Sequence, residues 1–227
     1  LAGADEVYDA LFKQLGILRA QTFADLLDIP AALAQGRLMT GTRVAIVTST
    51  GGAATVVADN VGLSGLDMPA PDHETGDRLQ ALDLKEAELD RNPIDVTLAG
   101  LRPDLFRSIL KILVESPSFD AIVVVVGSSS IAQPDLVAQP VLDSLALTDK
   151  PILAYVSPDA PGIVRTLNTR GIPAFAAPES CASALQALAS PTAASQGSRS
   201  NAKDVDCSDI AAGSLNEAEA KQLFARF

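Results

Sequence analysis

Tryptophan is absent from this 227-residue chain, histidine occurs once, cysteine twice, and only 4% of the residues are aromatic. Each scarcity removes a class of protein. Cys181 and Cys207 cannot build the disulfide framework of a small secreted fold, and no CxxC or Cys/His cluster suggests zinc. A reducing, cytoplasmic setting fits best, and no metal site is expected. With His73 as the sole histidine, ordinary acid–base and nucleophilic chemistry has few candidates. Basic residues are short too: 17 Lys plus Arg stand against 28 Asp plus Glu, a net charge of −11, which disfavours nucleic acid and anionic membrane surfaces. The longest apolar run, Ala121 to Val126, falls far short of the ~18 residues of a spanning helix, and no signal segment is read. Apolar material is plentiful at 48%, so disorder of the whole chain is excluded.

The chain opens on Leu1 and reaches Phe227 inside a running amphipathic pattern, so it reads as a segment of a longer protein. Val7, Ala10, Leu11 and Leu15 form one helical stripe that Gly16 ends as a left-handed cap. Thr22 caps a second short helix with Phe23, Leu26, Leu27 and Ile29, expected to stop before Pro30. From Arg43 onward, strands alternate with helices. VAIVTST from Val44 leads through Gly51-Gly52 into a helix with Ala54, Val57, Ala58 and Val61. Further strands are expected at 121–126, 152–156 and 173–176. Helices are expected around Phe106–Leu113, Val141–Leu147, Ala160–Arg170 and Pro178–Leu188. Strands apolar on both faces and separated by helices imply an α/β fold, a doubly wound parallel sheet covered on both sides. Residues 72 to 90 carry seven acidic and two basic residues and read as a solvated helical face. Residues 190–213 turn to Ser, Ala, Thr, Gly, Asn and Asp and read as a linker. SLNE at 214–217 then forms a capping box, Ser214 with Glu217, opening a last helix.

In a doubly wound sheet the ligand crevice lies beyond the carboxyl ends of the strands. Three loops there are candidates. Ser49, Thr50, Gly51, Gly52 and Ala53 begin a helix whose free N–H groups and dipole favour a phosphate or carboxylate; the alternative is glycine serving close packing. Gly127, Ser128, Ser129 and Ser130 follow the most hydrophobic strand and offer N–H and hydroxyl donors, or merely a polar turn. Asn92 and Asp95 flank Pro93 in an extended segment suited to positioning loops. None of the three pairs a nucleophile with a base, and His73 sits in a polar acidic stretch. No catalytic residue is therefore assigned: the chain offers anion-binding loops without a reactive group.

The runs GTRVAIVTSTGGAATVVADN (41–60), NPIDVT (92–97), DAIVVVVGSSSI (120–131), KPILAYV (150–156) and GIPAFAAPESCASAL (171–185) resemble, in consistent order, the NDP-forming acyl-CoA synthetases. These are the ADP-forming acetate–CoA ligases, relatives of succinyl-CoA synthetase. The match is to their second flavodoxin-like ligase domain. The resemblance implies a boundary scheme of 1–38 as the helical tail of a preceding ligase and CoA-binding region, 39–189 as the flavodoxin-like domain, 190–213 as a linker and 214–227 as the first helix of an ATP-grasp domain. It implies a reaction joining a small carboxylic acid to CoA at the expense of ATP, through an acyl phosphate and a phosphohistidine carried on the partner domain. CoA and ATP or ADP with Mg are then substrates, no cofactor is bound covalently, and the intact enzyme is an oligomer. Residues 49–53 would supply the helix start that disperses phosphohistidine charge, the 127–130 loop would lie near the acyl phosphate, and Asn92 and Asp95 match the family's Asn-Pro-x-Asp motif. The family more often reads Asn-Ala-Gly-Gly-Pro-Gly where this chain has Ser49 to Ala54; the two glycines are common to both.

Two other readings compete. Synthetase-like parts fused to acetyltransferases act as regulatory modules. Thr48-x-Thr50-Gly51-x-Ala53 also nearly matches a flavin mononucleotide phosphate loop, although flavodoxin-type proteins stack the flavin on Trp or Tyr, and here only Tyr8 and Tyr155 exist.

Overall fold

The computed structural model describes residues 4–85, 87–127, 133–157, 160–190 and 216–224. Ser128, Ser129 and Ser130, the linker from 191 to 213, and Ser214 lie outside the described residues. The chain divides into two compact units, Leu1–Ala194 and Ser195–Phe227.

The larger unit is built on a five-stranded, all-parallel sheet in the order β2-β1-β3-β4-β5. Its strands are β1 (Val44–Thr48), β2 (Ile94–Asp95), β3 (Ala121–Val126), β4 (Ile152–Val156) and β5 (Ala174–Phe175). Side chains alternate between two apolar layers, as the period of a strand requires. Val44, Ile46, Val123, Val125, Leu153, Tyr155 and Phe175 face one layer, while Ala45, Val47, Ile122, Val124, Ile152, Ala154 and Val156 face the other. Burial on both faces explains the uninterrupted apolar runs.

Helices α2 (Asp25–Leu33), α3 (Gly51–Leu63) and α8 (Pro178–Ala189) cover the first layer through Ala32, Ala54, Val57, Val61, Cys181 and Leu185. The opposite layer is covered by α4 (His73–Gln80), α5 (Pro103–Glu115), α6 (Asp135–Leu145) and α7 (Pro161–Thr169). Those helices contribute Leu79, Phe106, Ile109, Leu113, Val137, Val141, Ile163 and Leu167. The doubly wound α/β class expected from the sequence is thus the observed one.

At the amino-terminal edge of the sheet a buried carboxylate, Asp120, accepts from Arg43 N–H (3.0 Å), Arg43 Nε (2.9 Å), Arg43 Nη2 (2.9 Å) and Thr40 Oγ1 (3.2 Å). Arg43 beside it holds that carboxyl below the usual range. On the same edge Asp72 caps α4, accepting from Thr75 N–H (2.9 Å), and Ser118 Oγ donates to its carboxylate. That hydroxyl, with the Thr75 N–H, pulls Asp72 down to about 2.

Several local expectations are corrected. Pro30 does not end α2, which runs on to Leu33; a proline removes one N–H bond, and Ala32, buried in the core, keeps the following turn packed. Thr22 is not at the cap position, which Ala24 holds without a side-chain bond; it closes the turn ahead of the helix, its Oγ1 accepting from Asp25 N–H (3.2 Å) while Asp25 Oδ2 accepts from Thr22 N–H (2.8 Å). The acidic segment is helical only from His73 to Gln80, and Thr75 and Leu79 on it are buried. The α6 helix begins earlier than read, at Asp135, and carries Pro140 inside it.

Helix α1 (Asp5–Leu15) ends at Gly16 with φ 75°, where Ile17 N–H reaches Phe12 O at 2.8 Å. None of its residues is buried: Val7 is 65% exposed, Leu11 44% and Leu15 62%. Arg19 ties it down through Asp5 (2.5 Å) and Asp9 (2.6 Å).

In the second unit, helix α9 (Glu217–Phe224) carries its reciprocal cap two residues later than read. Asn216 Oδ1 accepts from Glu219 N–H (3.0 Å) and Glu219 Oε2 accepts from Asn216 N–H (2.9 Å). Among the described residues, no helix is long and apolar enough to cross a membrane.

Candidate functional site

The strand order reverses between β1 and β3, and that is where a doubly wound sheet opens a crevice at its carboxyl edge. Thr48 closes β1 and folds the chain back: its Oγ1 accepts from Thr50 N–H (2.8 Å) and donates to Thr50 O (3.0 Å). Thr50 is extended (φ −141°, ψ 91°), and α3 starts at Gly51 with no side-chain cap. Ala54 N–H reaches Thr50 O at 3.2 Å. The N–H groups of Gly51, Gly52 and Ala53, which the helix itself cannot satisfy, have no partner among the described residues.

Close packing does not account for the two glycines. Among the described residues a Cβ on Gly52 would meet nothing within 4 Å, and one on Gly51 would touch only Asp95 Oδ2, at an ordinary 3.7 Å. The helix start therefore presents three donors and the positive end of a 13-residue helix dipole that no described residue covers. Ser49, in the same turn, has a buried Oγ with no partner among the described residues.

Asn92 and Asp95 lie along the outer edge of β1. Since β2 pairs only with Val47 and Thr48, the first half of that edge meets, among the described residues, a single bridge from Asp67 to Arg43 and no strand. The Asn92 side chain fills the place of one. Its Oδ1 accepts from Ile46 N–H (3.0 Å), and its Nδ2 donates to Val44 O (2.7 Å) and Pro69 O (3.1 Å). Asp95 ends β2 opposite Thr48. Its Oδ1 accepts from Thr97 N–H (2.9 Å), steadying Thr97 at φ 54°, a left-handed conformation that β-branched residues rarely adopt. Its Oδ2 is the atom that stands beside Gly51.

The structure thus brings Ser49, Thr50, Gly51, Gly52, Ala53 and Asp95 together, with Gly127 at the end of neighbouring β3. Asn92 braces the strand behind them. His73 is elsewhere: it opens α4, whose cap is bound to Ser118 ahead of β3, so it stands at the opposite edge of the sheet. It is 92% exposed and 3.2 Å from Asp77. A bond to its own backbone and the neighbouring Asp77 raise its pKa. Cys181 is no nucleophile either, since complete burial pushes its thiol up to about 12. Among the described residues no group of three or more His, Cys, Asp or Glu could hold a metal ion. Sequence reasoning missed Thr97, whose conformation no local pattern announces.

Among the described residues the site gathers backbone N–H donors at a helix start, the Ser49 hydroxyl and the Asp95 carboxylate, with no histidine beside them.

No family model matches the chain. The acetate–CoA ligase (ADP-forming) II subunit alpha of Pyrococcus furiosus is 31% identical over 197 residues, which is 83% of this chain and 42% of that protein. The ADP-forming acetate–CoA ligase I subunit alpha of the same organism is 28% identical over 83% of this chain and 41% of its own length. Among solved structures, a Pyrococcus horikoshii OT3 protein superposes with a TM-score of 0.73 at 28% identity, covering 82% of this chain and 44% of that one. The dinucleotide-forming acetyl-coenzyme A synthetase 1 of Ca. Korarchaeum cryptofilum, in complex with phosphate and ADP, also gives a TM-score of 0.73 at 28% identity, covering 86% and 42%. The chain spans less than half the length of these relatives. With sequence and fold alike over more than four-fifths of its length, the chain is a homologue, over most of its length, of one part of the ADP-forming acetyl-CoA synthetases.

Proposed function

We propose that this chain is the ligase-domain part of an ADP-forming acyl-CoA synthetase and that the α3 start stabilises a phosphoryl group in transit, as phosphohistidine or acyl phosphate. The observation that carries the reading is the uncapped α3 terminus at the β1/β3 reversal, whose glycines no packing contact among the described residues requires. Preorganised N–H donors cost no reorganisation when charge arrives, and losing such a donor typically costs about 10²–10³ in kcat. The nucleophile and the nucleotide site would belong to other parts of the longer enzyme: a CoA-binding and histidine-loop region, and an ATP-grasp region to which α9 belongs. Those parts would bring CoA, the carboxylic acid and ATP or ADP with Mg. The open stripe Val7, Leu11 and Leu15 on α1 suits burial against the first of them.

Gly52 gives the test. Because a Cβ there meets nothing within 4 Å among the described residues, Gly52→Leu is expected to fold yet cover the donors. In the full-length enzyme it lowers CoA ligation by about a hundredfold or more, with the thermal midpoint unchanged. Wild-type turnover by that variant refutes the assignment.

A further inference from the structure

The α3 site is lopsided in charge. Donor N–H groups lie along one side, and the carboxylate of Asp95 stands against the same first residue of the helix, Oδ2 at 3.7 Å from the Cβ position of Gly51. Oδ1 is already engaged by Thr97 N–H. No ion pair among the described residues involves Asp95. Among the described residues, the cation on the segment beside it, Arg91, pairs with Glu88 and Asp90. The β1 strand and the first turn of α3 carry no ionisable side chain, and across from β2 stands Glu88, exposed and 3.4 Å from Arg91. The buried, unpartnered Ser49 Oγ adds a neutral polar group in the same turn.

We propose that Asp95 sets the charge of the anion accepted at the α3 site, disfavouring a doubly charged phosphoryl group relative to a singly charged one. The proposal rests on the reading of α3 as an anion site and concerns its selectivity. A phosphoryl group in transit must be released as readily as it is held. A fixed like charge beside the donors limits how tightly a bare dianion binds, while costing a monoanion half as much.

The probe is inorganic phosphate, singly charged for the most part near about pH 6 and doubly charged near about pH 8. Amide resonances of Gly51, Gly52 and Ala53 are followed during titration of the 227-residue chain and of Asp95→Asn, which keeps an acceptor for Thr97 N–H. Coulomb repulsion at roughly 6 Å in high dielectric predicts that Asp95→Asn tightens binding about threefold at the lower pH and about tenfold at the higher. Thr97→Gly, which removes the need for the Asp95 brace, leaves the wild-type dependence in place. Equal tightening at both pH values, or weaker binding, overturns the proposal and assigns Asp95 to support of the turn alone. If neither protein shows phosphate-dependent shifts at residues 51–53, the anion-site reading itself falls.

Discussion

Replacing Asn92 with alanine isolates one side chain that stands in for a strand. Val44 and Ile46 are fully buried, and β2 does not reach them. With the side chain gone, Ile46 N–H and Val44 C=O lose partners at 3.0 and 2.7 Å. An unsatisfied buried backbone group costs about 1–3 kcal/mol, so Asn92→Ala loses about 2–6 kcal/mol, a large part of the ~5–15 kcal/mol available to a typical domain. In urea, at a slope of about 2 kcal/mol per molar, the midpoint falls by about 1–3 M with little change in slope. Asn92→Asp separates the two halves of the effect: it retains the acceptor for Ile46 N–H but turns an oxygen toward Val44 O, so it fares no better than alanine. A loss below about 1 kcal/mol in Asn92→Ala refutes the reasoning, because it means the β1 edge finds other partners.

Two more changes test the amino-terminal edge of the sheet. A Cβ on Gly41 would lie 2.4 Å from Asp120 Oδ2, an atom pinned by Arg43, so Gly41→Ala costs about 1–3 kcal/mol as an overpacking change in urea unfolding; adding Asp120→Ala makes the two effects non-additive, and strict additivity would contradict the contact. Asp72 is held at about 2 against an ordinary 3.8, a lowered folded-state value. Its contribution is therefore present above the ordinary value and lost as pH falls from about 4 toward about 2. Asp72→Asn flattens the fall of the thermal midpoint across that window, and an unchanged slope rejects the Ser118–Asp72–Thr75 network as its source.

What the sequence disclosed and what it withheld follow from the range of the forces involved. The strands β3 and β4 and the helix α3 are written in their own residues, since burial on both faces selects unbroken Ile and Val runs and a helix repeats every few positions. The glycine pair after β1 was legible as a helix start for the same reason. The reach of Asn92 was not: its partners Val44 and Ile46 lie 48 and 46 residues away, and no local pattern encodes a side chain that replaces a strand. Asp95 was legible as part of a motif, but its closeness to Gly51 comes from the parallel pairing of β2 with β1. Pro30 misled because helix propensity is a weak prior that packing of Ile29 and Ala32 overrides. The capping box was placed at Ser214 because Ser-x-x-Glu is the common wording; Asn216 and Glu219 perform the same exchange one phrase later.

The shortness of β2 and β5 bears on how such a domain survives in a crowded setting. Both outer strands are two residues long, and the half of the β1 edge that β2 does not reach is taken up by the Asn92 amide and the bridge to Asp67. An invading chain finds almost no free ladder on which to add a strand, so aggregation by edge-to-edge pairing is blocked at both margins. Insolubility of the isolated polypeptide, where it arises, is then traced to the exposed apolar residues of α1 and around the start of α2 rather than to the sheet, and polar substitutions at Leu15, Phe23 or Leu27 are the changes that relieve it.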